Sequence, residues 1–206
     1  MRVVLLRHRR GLVATFLMIA LLLIVGACGG EEPAPEPESP TPEPAAQMEE
    51  ANAALGQKVM MMASQAAQAL SGEYGDLHVA VVAAGDRDNP EYEQIHEALA
   101  RIKEETGATY VYTLIEVSDE MTNLIVDASV GEDADDYGAE YAMEPQMAAA
   151  FAGEPAYAEH TWTDESYGVQ KSAFAPLLDS DGEIVAILGI DYPAPALEQY
   201  PELLAD

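Results

Sequence analysis

The sequence predicts an α+β domain: a five-stranded, mainly antiparallel sheet carrying a long amino-terminal helix, with further helices packed on it. Three observations lead there. Residues 47–70 contain no proline and one glycine, and good helix formers (Ala, Met, Gln, Glu) dominate them. Five short runs rich in β-branched and aromatic residues follow later in the chain, a composition that suits a pleated, half-buried surface. The last two runs are joined by Asp179-Ser180-Asp181-Gly182, a hairpin-turn sequence. At 206 residues the chain suffices for one ordinary domain with appendages. Its apolar residues, 49% of the total, are grouped in short runs as a folded body requires.

The first element is of another kind. Residues 1–10 are basic, holding Arg2, Arg7, Arg9 and Arg10, and residues 12–27 are almost wholly apolar. A basic stretch before an apolar run of this length reads as a secretory signal, since a spanning helix needs roughly 20 apolar residues. An uncleaved anchor is the alternative, because residues 3–6 add hydrophobic length upstream. Val25-Gly26-Ala27 then places small residues before Cys28, the single cysteine of the chain. This resembles the lipobox of bacterial lipoproteins. The resemblance implies that residues 1–27 are a signal peptide and that Cys28 is acylated as the mature first residue. The protein would then sit outside the cytoplasm, lipid-anchored to the cell membrane or outer membrane, each buried methylene contributing about 0.8 kcal/mol.

Residues 28–46 read as the acylated cysteine and a linker. In 31–46 (EEPAPEPESPTPEPAA) proline removes backbone donors and like charges keep the chain extended. Its reach is on the order of 50 Å. The folded domain is assigned to 47–206. In its first helix Leu55, Val59, Met62, Ala66 and Ala69 recur at the spacing of a coiled-coil seam. Two uses of that seam are open: the helix lies against its own domain, or it forms a homodimer through 47–70. The triplet Met60-Met61-Met62 wraps more than one helix face and reads as packing.

Residues 77–84 form a short apolar run. Pro90 opens a helix through about Glu105, with Ile95, Leu99 and Ile102 on one face, and Gly107 ends it. Residues 109–116 (TYVYTLIE) and 122–129 (TNLIVDAS) are the first two strands, joined by Ser118-Asp119-Glu120. A loop leads to a short helix around 145–151. Residues 158–163, 170–177 and 183–191 complete the five strands. Residues 184–190 are apolar on both faces, which places that strand in the middle of the sheet. One more short helical stretch is expected over 196–204.

This succession resembles an extracytoplasmic PAS-like sensor domain of the Cache type. The residues that carry the likeness are YVYTL at 110–114, the strand ending in Asp127, Tyr137-Gly138, Tyr167-Gly168, Ser172-Ala173-Phe174-Ala175-Pro176, and VAILGID at 185–191. Such domains occur in bacterial chemoreceptors, histidine kinases and cyclic-dinucleotide enzymes. The resemblance covers roughly residues 48–195. It implies a small-molecule pocket between the sheet and a covering segment.

Strand alternation supplies candidates for that pocket. Tyr110 and Tyr112 share a face opposite Val111 and Ile115, Asp127 follows two apolar neighbours, and Asp191 closes the most apolar strand. A carboxylate near the end of a buried strand costs several kcal/mol unless something pairs with it, a role open to a ligand ammonium, Lys171 or backbone amides. Tyr137, Tyr141 and Tyr167 lie in the covering segment. The residues expected to contact a ligand are therefore Tyr110, Tyr112, Asp127, Tyr141, Lys171, Ala173 and Asp191, with Asp191 matching the family's strand-end aspartate. Each also has a bland reading: a tyrosine in the core with a wet hydroxyl, or Asp127 capping a turn. The ligand class expected is an amino acid, an amine or a carboxylate.

Charge and motifs exclude other functions. Lys and Arg total 9 against 37 acids, and four of those cations lie in the first ten residues. Such a chain repels nucleic acid, which needs clustered cations to displace its counterions. No G-x-S-x-G, H-E-x-x-H, P-loop or dinucleotide fingerprint occurs, so no enzyme and no cofactor are expected. No metal is expected either: residues 179–183 start like a calcium loop but lack the later ligands. The acid run Glu132-Asp133 with Asp135-Asp136 reads as a solvated face able to hold a cation only loosely. Two roles are open. One is a tethered binding module read by a partner membrane signalling protein, expected because no apolar run able to span follows the last strand. The other is a structural or protein-interaction lipoprotein with a vestigial pocket. The acid excess also suggests a saline habitat.

Overall fold

The computed structural model of the chain describes residues 44–205, so the expected signal segment, Cys28 and nearly all of the linker lie outside the described residues. Helix α1 (Pro44–Leu70) begins slightly upstream of the expected start, with Pro44 in the first turn where a missing N–H costs nothing. Its buried stripe, Gly56, Val59, Ala63, Ala66, Ala67 and Leu70, lies on the sheet of its own domain. Val59 and Ala66 of the coiled-coil seam are thus covered by the sheet, while Ala69 faces solvent. The chain takes the first of the two uses open to that seam.

The run 77–84 belongs to helix α2 (Glu73–Ala84), which carries Glu73 and Asp76 in its first turn, where acids complement the dipole. Asn89 caps helix α3 (Pro90–Thr106), its side chain accepting from the Tyr92 N–H, and Gly107 closes it in the left-handed region at φ 70°.

Seven strands form the sheet, not five: β1 (Tyr110–Ser118), β2 (Met121–Asp127), β3 (Glu140–Ala142), β4 (Ala156–Tyr157), β5 (Trp162–Asp164), β6 (Gly168–Leu178) and β7 (Ile184–Pro193). Their order is β3-β2-β1-β7-β6-β4, with β5 also on β6, and every pairing is antiparallel. β7 is central, as its two-sided apolar run requires. The expected strand over 158–163 is instead split into β4 and β5. Between them Thr161 turns its backbone to the carboxyl-terminal segment, exchanging hydrogen bonds with Leu203 and Ala205. β3 is a short edge pairing that carries too few residues to announce itself. After β7 the expected helix is replaced by two 3₁₀ turns, Pro195–Leu197 and Pro201–Leu203, because Pro201 lacks the N–H that a continuous helix needs. A further short helix, α4 (Pro145–Phe151), packs on the opposite side of the sheet from α1 to α3.

The helix side is aliphatic and dry, built from Val111, Ala173, Ala175, Leu177, Ala186, Leu188 and Ile190 under α1 to α3. A histidine–threonine pair is among the polar groups that interrupt it. His78 of α2 is wholly buried with Nε2 2.9 Å from Thr113 Oγ1, and Nδ1 finds no partner. Burial lowers this imidazole from 6.5 to about 4, so it is neutral.

Candidate ligand cavity

The other side of the sheet encloses space. A cavity of about 420 Å³ is lined by Tyr110, Tyr112 and Leu114 of β1, Leu124 and Asp127 of β2, Tyr141 of β3, Met147 of α4 and Asp191 of β7. A neighbouring groove of about 830 Å³ shares Tyr112, Tyr141, Met147 and Asp191 with it and runs out along Tyr157, Trp162 and Phe174. This size falls within the usual range for small-molecule sites.

Local backbone rules put these groups together. In β1, alternation sends Tyr110, Tyr112 and Leu114 to the cavity and Val111 and Thr113 to the helices. In β2, simple alternation would send Leu124 and Asp127 to opposite faces. A bulge at Ile125 resolves this: Leu114 pairs with Leu124 and Thr113 with Val126, so one extra residue sits in β2. Both Leu124 and Asp127 therefore face the cavity. In β7, Gly189 leaves room for the ring of Tyr112, since a Cβ there would stand 2.6 Å from it.

The two buried aspartates play different parts. Asp127 is 4% exposed and accepts two backbone N–H bonds, from Ser129 at 2.8 Å and Asp135 at 3.1 Å. It organises the loop that leads away from β2, which was its bland reading. Asp191 is 5% exposed and has fewer partners. Ser172 stands opposite it on β6, and the Tyr112 hydroxyl lies 3.5 Å from Oδ1, at the limit of a hydrogen bond. Burial pushes its carboxyl up from 3.8 to about 7. Trp162 Nε1 donates to Ser172 Oγ at 3.0 Å and so orients that hydroxyl.

Three tyrosine–aspartate pairs tie the rim. Tyr110 donates to Asp164 at 2.8 Å, Tyr167 donates to Asp133 at 2.9 Å, and Tyr141 donates to Asp135. They join β1, β3, the loop after β2 and the β5–β6 turn around the mouth of the cavity. The rings of Trp162 and Tyr167 pack against Tyr110 at 6.2 and 6.0 Å. Burial raises the phenols of Tyr110, Tyr112 and Tyr141, with the adjacent carboxylates adding to the rise, so all three remain protonated at neutral pH.

Of the residues expected from sequence, Tyr110, Tyr112, Asp127, Tyr141 and Asp191 line this one cavity. Lys171 and Ala173 do not. Both have the parity of β6 that faces the helices, opposite Ser172 and Phe174. Ala173 sits in the aliphatic core. Lys171 is wholly buried, donating to Asn52 Oδ1 of α1 and to the Glu159 carbonyl at 3.1 Å, and burial lowers its ammonium to about 8. Its scarcity value is structural. Sequence reasoning missed the bonded pair Ser172 and Trp162 beside Asp191, and Asp133, Asp135 and Asp164, which hold the rim. Asp133 and Asp135 are exposed, as a solvated run would be, and are also bonded partners of tyrosines. No local pattern marks such pairs, because their partners lie up to 54 residues away.

No family model matches the chain, and no curated protein matches it in sequence. Solved structures do. The sensor domain of the V. cholerae histidine kinase DctB superposes with a TM-score of 0.52 at 17% identity, over 75% of this chain and 56% of that one. The ligand-binding domain of the Campylobacter jejuni chemoreceptor Tlp3, in complex with L-valine, gives 0.36 at 12% identity, over 76% of this chain and 66% of that one. The chain spans less than two thirds of either structure's length. The DctB likeness shows the fold alone: this chain shares the α+β architecture of that domain, an antiparallel sheet with helices packed on it. Among the described residues no helix is long and apolar enough to cross a membrane.

Proposed function

We propose that this protein is a sensor-type binding module that holds a small molecule between its sheet and the covering segments and passes the bound state to a partner membrane signalling protein. The observation that carries this is the cavity itself: Tyr110, Tyr112, Tyr141, Asp127 and Asp191 converge on about 420 Å³ between the sheet and α4. Support also comes from the fold, which is that of a histidine kinase sensor domain. The lipobox-like Val25-Gly26-Ala27-Cys28 and the Pro/Glu linker favour tethering outside the cytoplasm, with residues 1–27 removed and 28–46 as a stalk.

Two measurements test this reading. In a thermal-shift screen over amino acids, amines and carboxylates, at least one compound raises the melting temperature by several degrees at saturating concentration, as mass action on the folded state requires. A flat response across all three classes, together with recovery of an envelope partner in pull-downs, would instead mark an interaction module with a vestigial pocket. For the anchor, labelled fatty acid is incorporated into the wild-type chain and not into Cys28→Ser. Equal labelling of both would remove the tether.

A further inference from the structure

We infer that the cavity is built for an organic ammonium ion carrying no carboxylate, with Asp191 as its counter-charge. This rests on the reading of the cavity as a ligand site and narrows the ligand to one of the three classes open from sequence.

Among the described residues, cationic side chains are missing from the lining of the cavity: none of the five Lys and Arg belongs to it. Lys171 lies on the far face of the sheet. Lys58 donates to the Tyr192 hydroxyl at 2.9 Å, and Lys103 donates to Ser129 Oγ at 3.1 Å while standing 5.5 Å over the Tyr110 ring. Arg87 lines a separate groove beside α3, and Arg101 is exposed. A ligand carboxylate would find no fork or ammonium to receive it, and six carboxylates line the space it would enter.

Hydrogen-bond accounting points the same way, independently of net charge. The hydroxyl protons of Tyr110 and Tyr141 are committed to Asp164 and Asp135, and the Tyr112 hydroxyl has Asp191 Oδ1 at 3.5 Å. Trp162 spends its N–H on Ser172. What these groups leave facing the cavity is lone pairs and ring faces. Such a surface offers more acceptors than donors, so it suits a ligand rich in N–H donors. Ser166, on the exposed rim, carries the remaining hydroxyl of the lining.

Asp191 differs from the other acids. Asp127 has two backbone donors, and Asp133, Asp135 and Asp164 each have a tyrosine. Asp191 is 95% removed from solvent, lies opposite Ser172 with a marginal contact to Tyr112, and meets no cation among the described residues. A buried carboxylate in that state gains most from an ammonium placed beside it. The Tyr112 ring that flanks it adds a face that attracts cations.

Matched ligand series test this on the intact protein. Isobutylamine, L-valine and isovalerate share one side chain and differ in charge, as do phenethylamine, L-phenylalanine and hydrocinnamate. Calorimetry and thermal shift are expected to show binding of an amine at least tenfold tighter than its amino acid and its carboxylate. Asp191→Asn is expected to weaken the amine at least tenfold while the free protein keeps its thermal transition. If an amino acid or carboxylate binds as tightly as its amine, the assignment of charge is overturned and the site stands. If no member of either series binds, the site itself fails and the assignment with it.

Discussion

Beneath the helices, β6 and β7 present Ala173, Ala175, Leu177, Ala186, Leu188 and Ile190, each at 1% exposure or less. One residue along on the same two strands, Ser172, Phe174, Gly189 and Asp191 face the cavity side. The strands are shared, and the covering layers are not. Three helices with small and branched side chains close one face completely. The other is roofed by a seven-residue helix, short strands and a loop, which leave volume and tolerate polar groups. On the closed face the buried polar groups are neutral, as His78 is, or hydrogen-bonded, as Lys171 is to Asn52 and the Glu159 carbonyl. On the open face a carboxylate persists with room beside it.

The largest effect that should separate the faces is steric. Leu188→Ala removes a wholly buried side chain from the central strand under α1 to α3, and should cost about 2–5 kcal/mol in urea denaturation. A loss below about 1 kcal/mol would mean that the helix side is not the stabilising core.

Next in size is the opposed titration of the two faces. His78 has a folded value near 4 against 6.5, so the unfolded chain binds the extra proton between those values and stability rises with pH across that window. Asp191 has a folded value near 7 against 3.8, so the folded chain keeps the proton and stability falls as pH rises from about 3.8 to 7. Each slope is at most about 1.4 kcal/mol per pH unit. Background titration is common to both single variants, so their difference isolates the pair. Between pH 4 and 6.5, Asp191→Asn should become more stable with rising pH relative to His78→Leu. Parallel profiles for the two variants would remove the distinction between a neutral core histidine and a buried acid.

The smallest effect concerns the outer face of α1. Met61 is 55% exposed, and Met61→Gln should change stability by no more than about 0.5 kcal/mol. A larger loss that depends on protein concentration would reveal a second copy of the chain packed on this face of 47–70.

Much of the architecture is readable from local chemistry. Pro90 and Gly107 bracket α3, the Asp179–Gly182 turn joins the last two strands, and the two-sided apolar run of β7 announces its central place. The same alternation correctly groups Tyr110 with Tyr112. It misleads at Lys171, where a rare cation near a candidate strand invites a functional role that the parity of β6 denies. It fails at β2 as well, since no residue pattern reveals the bulge at Ile125 that turns Leu124 and Asp127 the same way. Thr161 similarly breaks an expected strand by bonding a segment some forty residues later.

Composition and short-range pattern by themselves determined an acidic α+β chain, the positions of α1, α3 and α4, and which side chains of β1 share a face. They did so because propensity, capping and pleat depend on a residue's immediate neighbours. Which face the helices cover, which tyrosine meets which aspartate, and where Asp191 is left without a cation were decided only in three dimensions. Those outcomes depend on strand register and on contacts between distant residues, and a period of two is blind to both.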